Sequence, residues 1–154
     1  MTTENETQDE RENRELIELL NELRVVLPGV QVLFAFLLTI AFSSKFATIS
    51  HVERVTYMVA FFSTALTSVF LMTPTVFHRI RFRKGDKEAL LRFTNRYVLA
   101  AMGCLSVAMV SVIWLVCELA LSQATANLIA VISAVVIVGL WFAIPVWREL
   151  RDSR

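Results

Sequence analysis

Four long apolar stretches constrain this chain more than any other feature of its sequence. They cover residues 25–42, 55–77, 97–121 and 126–147, and Glu118 is the single formal charge within them. Each is close to the roughly 17 to 25 residues that an α-helix needs to cross a bilayer. The polar faces of soluble helices and the alternation of barrel strands are both missing. The sequence therefore predicts an all-α fold, a bundle of four transmembrane helices.

The flanking segments complete the predicted organisation. Residues 1–14 are acidic and almost without apolar content, so we expect them to be disordered. Residues 15–27 carry Leu16, Leu20, Leu23 and Leu27 on one face, which predicts an amphipathic interfacial helix that bends at Pro28 into a first span at about 28–43. The membrane domain is expected to cover residues 15–147, followed by a cytoplasmic tail at 148–154.

The segment between the second and third spans predicts a helical hairpin outside the bilayer. Gly85 suits the end of one helix and Asp86 the cap of the next. Residues 78–96 carry seven bases and two acids, whereas residues 1–24 carry eight acids and three bases. Because these opposite charges are predicted on the same side, we expect the N-terminal leucines to pack on the hairpin, with Leu16, Leu20 and Leu23 against Leu90 and Phe93.

The distribution of Lys and Arg orients the helices, because basic residues near spans are retained in the cytoplasm. Thirteen of the fifteen lie on one side, namely Arg11, Arg14, Arg24, Arg79, Arg81, Arg83, Lys84, Lys87, Arg92, Arg96, Arg148, Arg151 and Arg154. The other side carries Lys45 and Arg54. Both termini are therefore predicted to be cytoplasmic.

No catalytic, nucleotide or metal site can be assembled from these residues. The four glycines are isolated, so a phosphate-binding loop is missing. Cys104 and Cys117 lie about 20 Å apart along one helix and cannot pair with each other. His51 and His78 are predicted on opposite sides of the membrane. We therefore expect no cofactor and no enzymatic activity.

Several segments resemble a known family. They are residues 18–25 (ELLNELRV), 28–38 (PGVQVLFAFLL), 74–79 (PTVFHR) and 95–96 (NR). Across roughly residues 15–147 the chain resembles small bacterial membrane proteins, mostly from actinobacteria, grouped as domain of unknown function 6328. The resemblance implies a four-helix protein of the bacterial plasma membrane, and it transfers no activity to individual residues.

Glu118 is the first candidate for chemistry inside the membrane. A charged residue at a helix centre costs about 2.5 to 3.5 kcal/mol on insertion scales. Glu118 shares a face of the third span with Ser111 and several small residues, so we expect it to point into the bundle. Its place near the end of the span favours a structural or interfacial role, and ion or proton handling is the alternative.

Gln31, Thr64 and Thr67 complete the candidate ion-handling set. Gln31 lies one turn beyond Pro28, which frees a backbone carbonyl, and its amide is expected to bond that carbonyl or a neighbouring helix. Thr64 and Thr67 belong to a hydroxyl-rich second span. Such hydroxyls either line a narrow polar path or, more commonly, bond to their own backbone.

A second candidate set ends the second span at the predicted inner interface: His78, Arg79, Arg81 and Arg83. These residues could bind anionic lipid headgroups or sense pH. Ordinary anchoring by positive charge is the simpler interpretation. A basic loop beside two spans favours membrane lipid, including anionic lipid at the inner leaflet, over nucleic acid as partner.

Transport requires polar groups near the bilayer centre, whereas a protein that acts through contacts needs packing faces and interfacial charge. This sequence has the second set of features. It predicts a non-enzymatic multi-pass membrane protein that acts through protein or lipid contacts, as a homo-oligomer. The alternative is a small oligomeric channel or a proton- or cation-coupled transporter, with Glu118, Gln31 and the second-span hydroxyls along a shared path.

The charge distribution gives a direct test of orientation. In a background without Cys104 and Cys117, we expect Ser50→Cys to react with a membrane-impermeant thiol reagent applied to intact cells, and Gly85→Cys to react only after lysis. The reason is the excess of Lys and Arg around Gly85, which is retained in the cytoplasm. Labelling of Gly85→Cys in intact cells would contradict the predicted orientation.

Overall fold

The computed structural model describes the backbone of residues 8–81, 87–143 and 151, and the side chains of 14, 17–18, 21–76, 93–143 and 151. Throughout these ranges the regular structure is helical. The helices are α1 (Gln8–Ala41), α2 (His51–Arg81), α3 (Lys87–Ala120) and α4 (Gln123–Val138). A 3-10 turn at Ser44–Thr48 precedes α2, and a π-helical segment at Gly139–Ala143 continues α4.

Four helices are long and apolar enough to cross a membrane, which confirms the predicted number of spans. The candidate spans are Asn21–Ala41, His51–Val76, Phe93–Ala120 and Gln123–Ala143, with mean hydropathy between 1.7 and 2.3. Helix α2 continues beyond its span to Arg81, and α3 begins before its span at Lys87. The predicted turn at Gly85 and Asp86 lies outside the described residues, as does the end of the predicted fourth span.

Helix α1 differs from the predicted division of the N-terminal segment. It begins at Gln8, inside the stretch predicted to be disordered, and runs as one helix to Ala41 with Pro28 inside it. A proline removes one hydrogen bond of the helix, here to the carbonyl of Arg24, and its ring needs space beside the preceding turn. The helix continues through Pro28, which is exposed, just as α2 continues through Pro74, which is buried.

Two serines determine where α2 and α4 begin. The Ser50 N–H donates to Glu53 Oε2 at 2.7 Å, and the Glu53 N–H donates to Ser50 Oγ at 3.2 Å. This reciprocal capping box satisfies two backbone donors that a helix start leaves free. At α4, the Thr125 N–H donates to Ser122 Oγ at 3.4 Å. Local sequence therefore sets both starts at the same end of the bundle.

Helix α3 is the centre of the bundle, since it contacts α1, α2 and α4, and its contact with α2 is the most extensive. Small residues make this arrangement possible. Ala101 and Ala108 of α3 are fully buried, and so is Ala126 of α4. Side chains of this size let helix backbones approach closely in membranes, where packing rather than water exclusion drives association.

Two buried clusters hold α1 against its neighbours. The Leu23 cluster consists of Leu23, Val30, Leu71 and Ala101, and it joins α1, α2 and α3. The Tyr57 cluster consists of Leu37, Tyr57 and Ala60, with Phe46 and Leu115 packed against it. Leu23 is thus buried, and its partners are Val30, Leu71 and Ala101. The predicted packing of the leucine stripe on the hairpin stays a prediction, because the side chains of Leu16, Leu20 and Leu90 lie outside the described set.

Tyr57 ties α1 to α2. Its hydroxyl donates to the carbonyl oxygen of Leu37 at 2.8 Å. The ring meets Phe46 edge-on, with centroids 4.7 Å apart, and lies 6.2 Å from the ring of Phe61. Phe61 in turn stacks on Phe34 of α1 at 5.0 Å. A polar bond and a ring stack together fix the register of the two helices.

Replacing Tyr57 with Phe should lower the free energy of unfolding by about 0.5 to 1.5 kcal/mol, the usual net value of one hydrogen bond. The ring and its packing are kept, so the loss isolates the hydroxyl. Tyr97→Phe is the matched control, because the Tyr97 ring also packs on two phenylalanines. Reversible unfolding in mixed micelles measures both; equal losses would show that the Tyr57–Leu37 bond contributes nothing specific.

Candidate functional site

The two candidate hydroxyls of α2, those of Thr64 and Thr67, are buried and already bonded. Thr64 Oγ1 donates to the carbonyl oxygen of Ala60 at 2.7 Å. Thr67 Oγ1 lies 2.8 Å from the carbonyl oxygen of Ser63 and 3.4 Å from that of Ala101. Both side chains are fully buried. Their protons are directed at helix carbonyls, which leaves them poorly placed to line a polar path.

Glu118 and Ser111 lie on α3, seven residues apart on one face. Ser111 is buried, with 8% of its surface exposed. Glu118 is two residues from the end of α3, and its Oε2 is shielded and has no hydrogen-bond partner among the residues described. An unpaired buried carboxylate oxygen costs free energy until a proton, a cation or a donor from another molecule meets it.

Thr94 is a second buried polar group without a hydrogen-bond partner in the described part of the chain. It is fully buried on α3, and its Oγ1 accepts and donates no hydrogen bond there. Thr94 and Glu118 are separated by about 36 Å of helix, at 1.5 Å per residue. They therefore belong to opposite ends of the bundle and cannot form one site.

Gln31 is exposed on α1, and the described residues offer its amide no hydrogen bond. The predicted bond to the carbonyl freed by Pro28 is not formed. Gln31 faces outward while Thr64 and Thr67 face α3, and Glu118 lies near the far end of α3. Within one chain, the five candidate residues are not gathered into a single path.

The second candidate set lies where side chains are not described. His78, Arg79 and Arg81 are on the last turn of α2, and Arg83 falls outside the described residues. Metal binding has no support in the rest of the chain: the described ranges contain no group of three or more His, Cys, Asp or Glu residues that could hold an ion.

A large apolar groove lies between α1 and α3. Its volume is about 910 Å³, and it is lined by Val25, Val26, Gly29 and Leu33 of α1 and by Met102, Leu105, Met109 and Ile113 of α3. Leu71 and Trp141 also line it, and Glu22 is the charged residue among the described lining. The groove runs along the half of the bundle that contains the Leu23 cluster.

Three polar contacts were not predicted from the sequence. They are the Ser50–Glu53 capping box, the Tyr57–Leu37 bond, and a bond from Trp114 Nε1 to Asn127 Oδ1 at 2.7 Å, which ties α3 to α4. The spacing Ser-x-x-Glu before an apolar run is a known helix-start signal and could have revealed the first. The other two join helices across the bundle, and no local spacing marks them.

Comparison with known proteins gives a family and no activity. The searches against curated proteins and against solved structures returned no significant match. A family model, described as a family of unknown function, matches residues 5–145, which is nearly the whole chain. This agrees with the resemblance seen in the sequence motifs. The chain belongs to the family of unknown function DUF6328.

Proposed function

We propose that this protein is a non-enzymatic component of the bacterial plasma membrane that acts through lipid and protein contacts, as a homo-oligomer. The observation that carries the proposal is the apolar groove between α1 and α3. The polar side chains give less support to a chemical activity. Thr64 and Thr67 are bonded to backbone carbonyls, and the described residues hold no metal-binding cluster.

The groove has the size and lining of a site for a lipid acyl chain. Sites for small ligands usually enclose about 300 to 1,000 Å³ and are mostly apolar, and this groove holds about 910 Å³. Met102 and Met109 give it flexible walls that adapt to an irregular chain. Glu22 lies at the end of the groove near the start of the span, where a lipid headgroup would sit.

The finer topology belongs to the same proposal. Both termini and the basic hairpin are placed in the cytoplasm, with α1 before residue 21 lying at the interface. The charge distribution supports this orientation, and the burial of Leu23 supports docking of the N-terminal segment on α2 and α3. In this setting His78, Arg79, Arg81 and Arg83 would attract anionic lipid, at about 1 kcal/mol for each Lys or Arg.

Filling the groove should displace the lipid. Gly29 lines the groove, and a Cβ built there meets nothing within 4 Å, so Gly29→Leu can enter it without disturbing the backbone. We expect this variant to retain several-fold less lipid per chain than wild type after purification in detergent, as measured by native mass spectrometry.

The matched control is Gly103→Leu. A Cβ at Gly103 also meets nothing within 4 Å, the residue lies in α3, and both substitutions replace a helical glycine with a better helix former. It should keep the lipid of the wild type. If Gly29→Leu retained as much lipid as Gly103→Leu, the groove would not be the lipid site.

A second candidate function is supported by the unpartnered oxygen of Glu118. A carboxylate oxygen that is shielded from solvent and has no hydrogen-bond donor can bind a proton or a small cation. Four helices enclose little space, so a conducting path would need several copies. This candidate is a proton- or cation-handling oligomer, and it also accounts for Ser111 on the same face as Glu118.

Under that second candidate, Glu118→Gln should abolish proton or cation flux into liposomes and leave the amount of folded protein unchanged, because the amide keeps the shape and cannot exchange a proton. Glu53→Gln is the matched control at the same end of the bundle, since glutamine also serves in a capping box. Equal flux in the two variants would exclude Glu118, and a wild type without flux would exclude the second candidate altogether.

A further inference from the structure

The Gln31 amide lies in the middle of a candidate span, and no residue in the described part of the chain bonds it. Gln31 is the central residue of the candidate span Asn21–Ala41, with ten residues on either side. At 1.5 Å per residue it is about 15 Å from each end of the span. A hydrocarbon core is about 30 Å thick. The exposed amide of Gln31 therefore cannot reach headgroups or water.

The contacts between α1 and α2 give the same depth independently. Phe34 stacks on Phe61, and Val30 shares the Leu23 cluster with Leu71. Gln31 lies between Val30 and Phe34, so it is level with residues 61–71. That stretch includes the middle of the candidate span His51–Val76.

Gln31 differs in depth from the other amides of the described spans. The remaining amides of the described spans, Asn21, Asn95, Gln123 and Asn127, lie within five residues of a span end. Asn127 is also bonded to Trp114, and the exposed Thr39 donates to the carbonyl oxygen of Ala35 at 3.0 Å. Gln31 is the one amide of the described spans that lies at mid-span. Its donors and acceptor require a partner there, and the described residues provide none.

The surface around Gln31 has the spacing of a helix-pairing seam. Its residues recur at alternating intervals of four and three, and all of them are exposed: Arg24, Pro28, Gln31, Ala35, Leu38 and Phe42. This interval is the one at which two helices pack along each other with a left-handed twist. We call this set the Gln31 face. It is distinct from the groove, which is lined by other residues of α1.

We propose that the Gln31 face is the contact between two copies of this chain, with the two Gln31 amides hydrogen-bonded to each other. Glutamine carries both donors and an acceptor, so it can satisfy an identical residue. A two-fold axis places each residue opposite its own copy. Because the charge distribution inserts every copy in one orientation, two α1 helices are parallel and their Gln31 residues meet at one depth. An acyl chain has no group that could do this.

This inference rests on the homo-oligomer of the proposed function and names its interface. The test uses full-length chains with fluorescent donor or acceptor fusions, reconstituted in liposomes at decreasing protein-to-lipid ratios. Wild type should show energy transfer, and Gln31→Leu should weaken association by about 3- to 20-fold, the range for one such bond in membranes. Gln31→Asn should restore much of the association, since it is again self-complementary.

Thr39→Val is the matched control on α1, because the Thr39 hydroxyl is already bonded within its helix; it should associate like wild type. If wild type and Gln31→Leu showed equal energy transfer, the Gln31 interface would be wrong and the homo-oligomer would stand. A wild type without transfer would overturn both.

Oxidative crosslinking locates the contact by a second route. In a background lacking Cys104 and Cys117, Ala35→Cys places a thiol on the Gln31 face, and Val32→Cys places one on the neighbouring, equally open side of α1, where Val32 is 71% exposed. Ala35→Cys should form a dimer and lose most of it when Gln31→Leu is added, and Val32→Cys should stay monomeric. Equal crosslinking at the two positions, or at Val32 alone, would overturn the proposed face.

Discussion

A hydrocarbon core offers no hydrogen-bond partners, and four helices in the described part of the chain have the length and apolarity that such a core requires. Helices satisfy their own backbone, so the four spans follow directly from this lack of partners. Polar side chains in the spans must find partners in their own helix, in a neighbouring helix or in another molecule. Thr64 bonds a carbonyl of its own helix. Tyr57 bonds a neighbouring helix and so joins α1 to α2, and Trp114 in the same way joins α3 to α4. Gln31, Thr94 and one oxygen of Glu118 are among the groups that have no such partner in the described part of the chain.

The number and approximate positions of the spans could be predicted from sequence, because length and apolarity are local properties that tertiary packing does not change. The course of α1 could not. Pro28 suggested an interruption, yet exposed Pro28 and buried Pro74 both lie inside continuous helices, so a proline alone does not mark a helix end. The hydrogen-bond partners of Tyr57 and Thr67 could not be predicted either. Tyr57 bonds a carbonyl on another helix, which no local spacing marks. Thr67 lies near one carbonyl of its own helix and one of α3, and sequence spacing does not decide between the two.

Helix α3 contacts its neighbours through different kinds of residue. Helices α1 and α4 both contact α3, and α3 contacts α2 through small residues such as Ala101 and Ala108. Alanine at that contact brings α2 close, whereas Met102 and Met109, each the next residue and about 100° further around the helix, line the groove beside α1. Adjacent small and large residues of α3 thus serve two different neighbours.

Exposed apolar residues say little about partners in a membrane protein, because lipid is as apolar as leucine. Polar atoms carry that information, and Gln31 and Glu118 need different kinds of partner. An amide both donates and accepts, so a second Gln31 can satisfy the first. An ionised carboxylate only accepts, so a second Glu118 cannot satisfy the first, and its shielded oxygen needs a proton, a cation or a foreign donor. Self-association is therefore expected at the middle of α1, and any exchange with protons or ions at the end of α3.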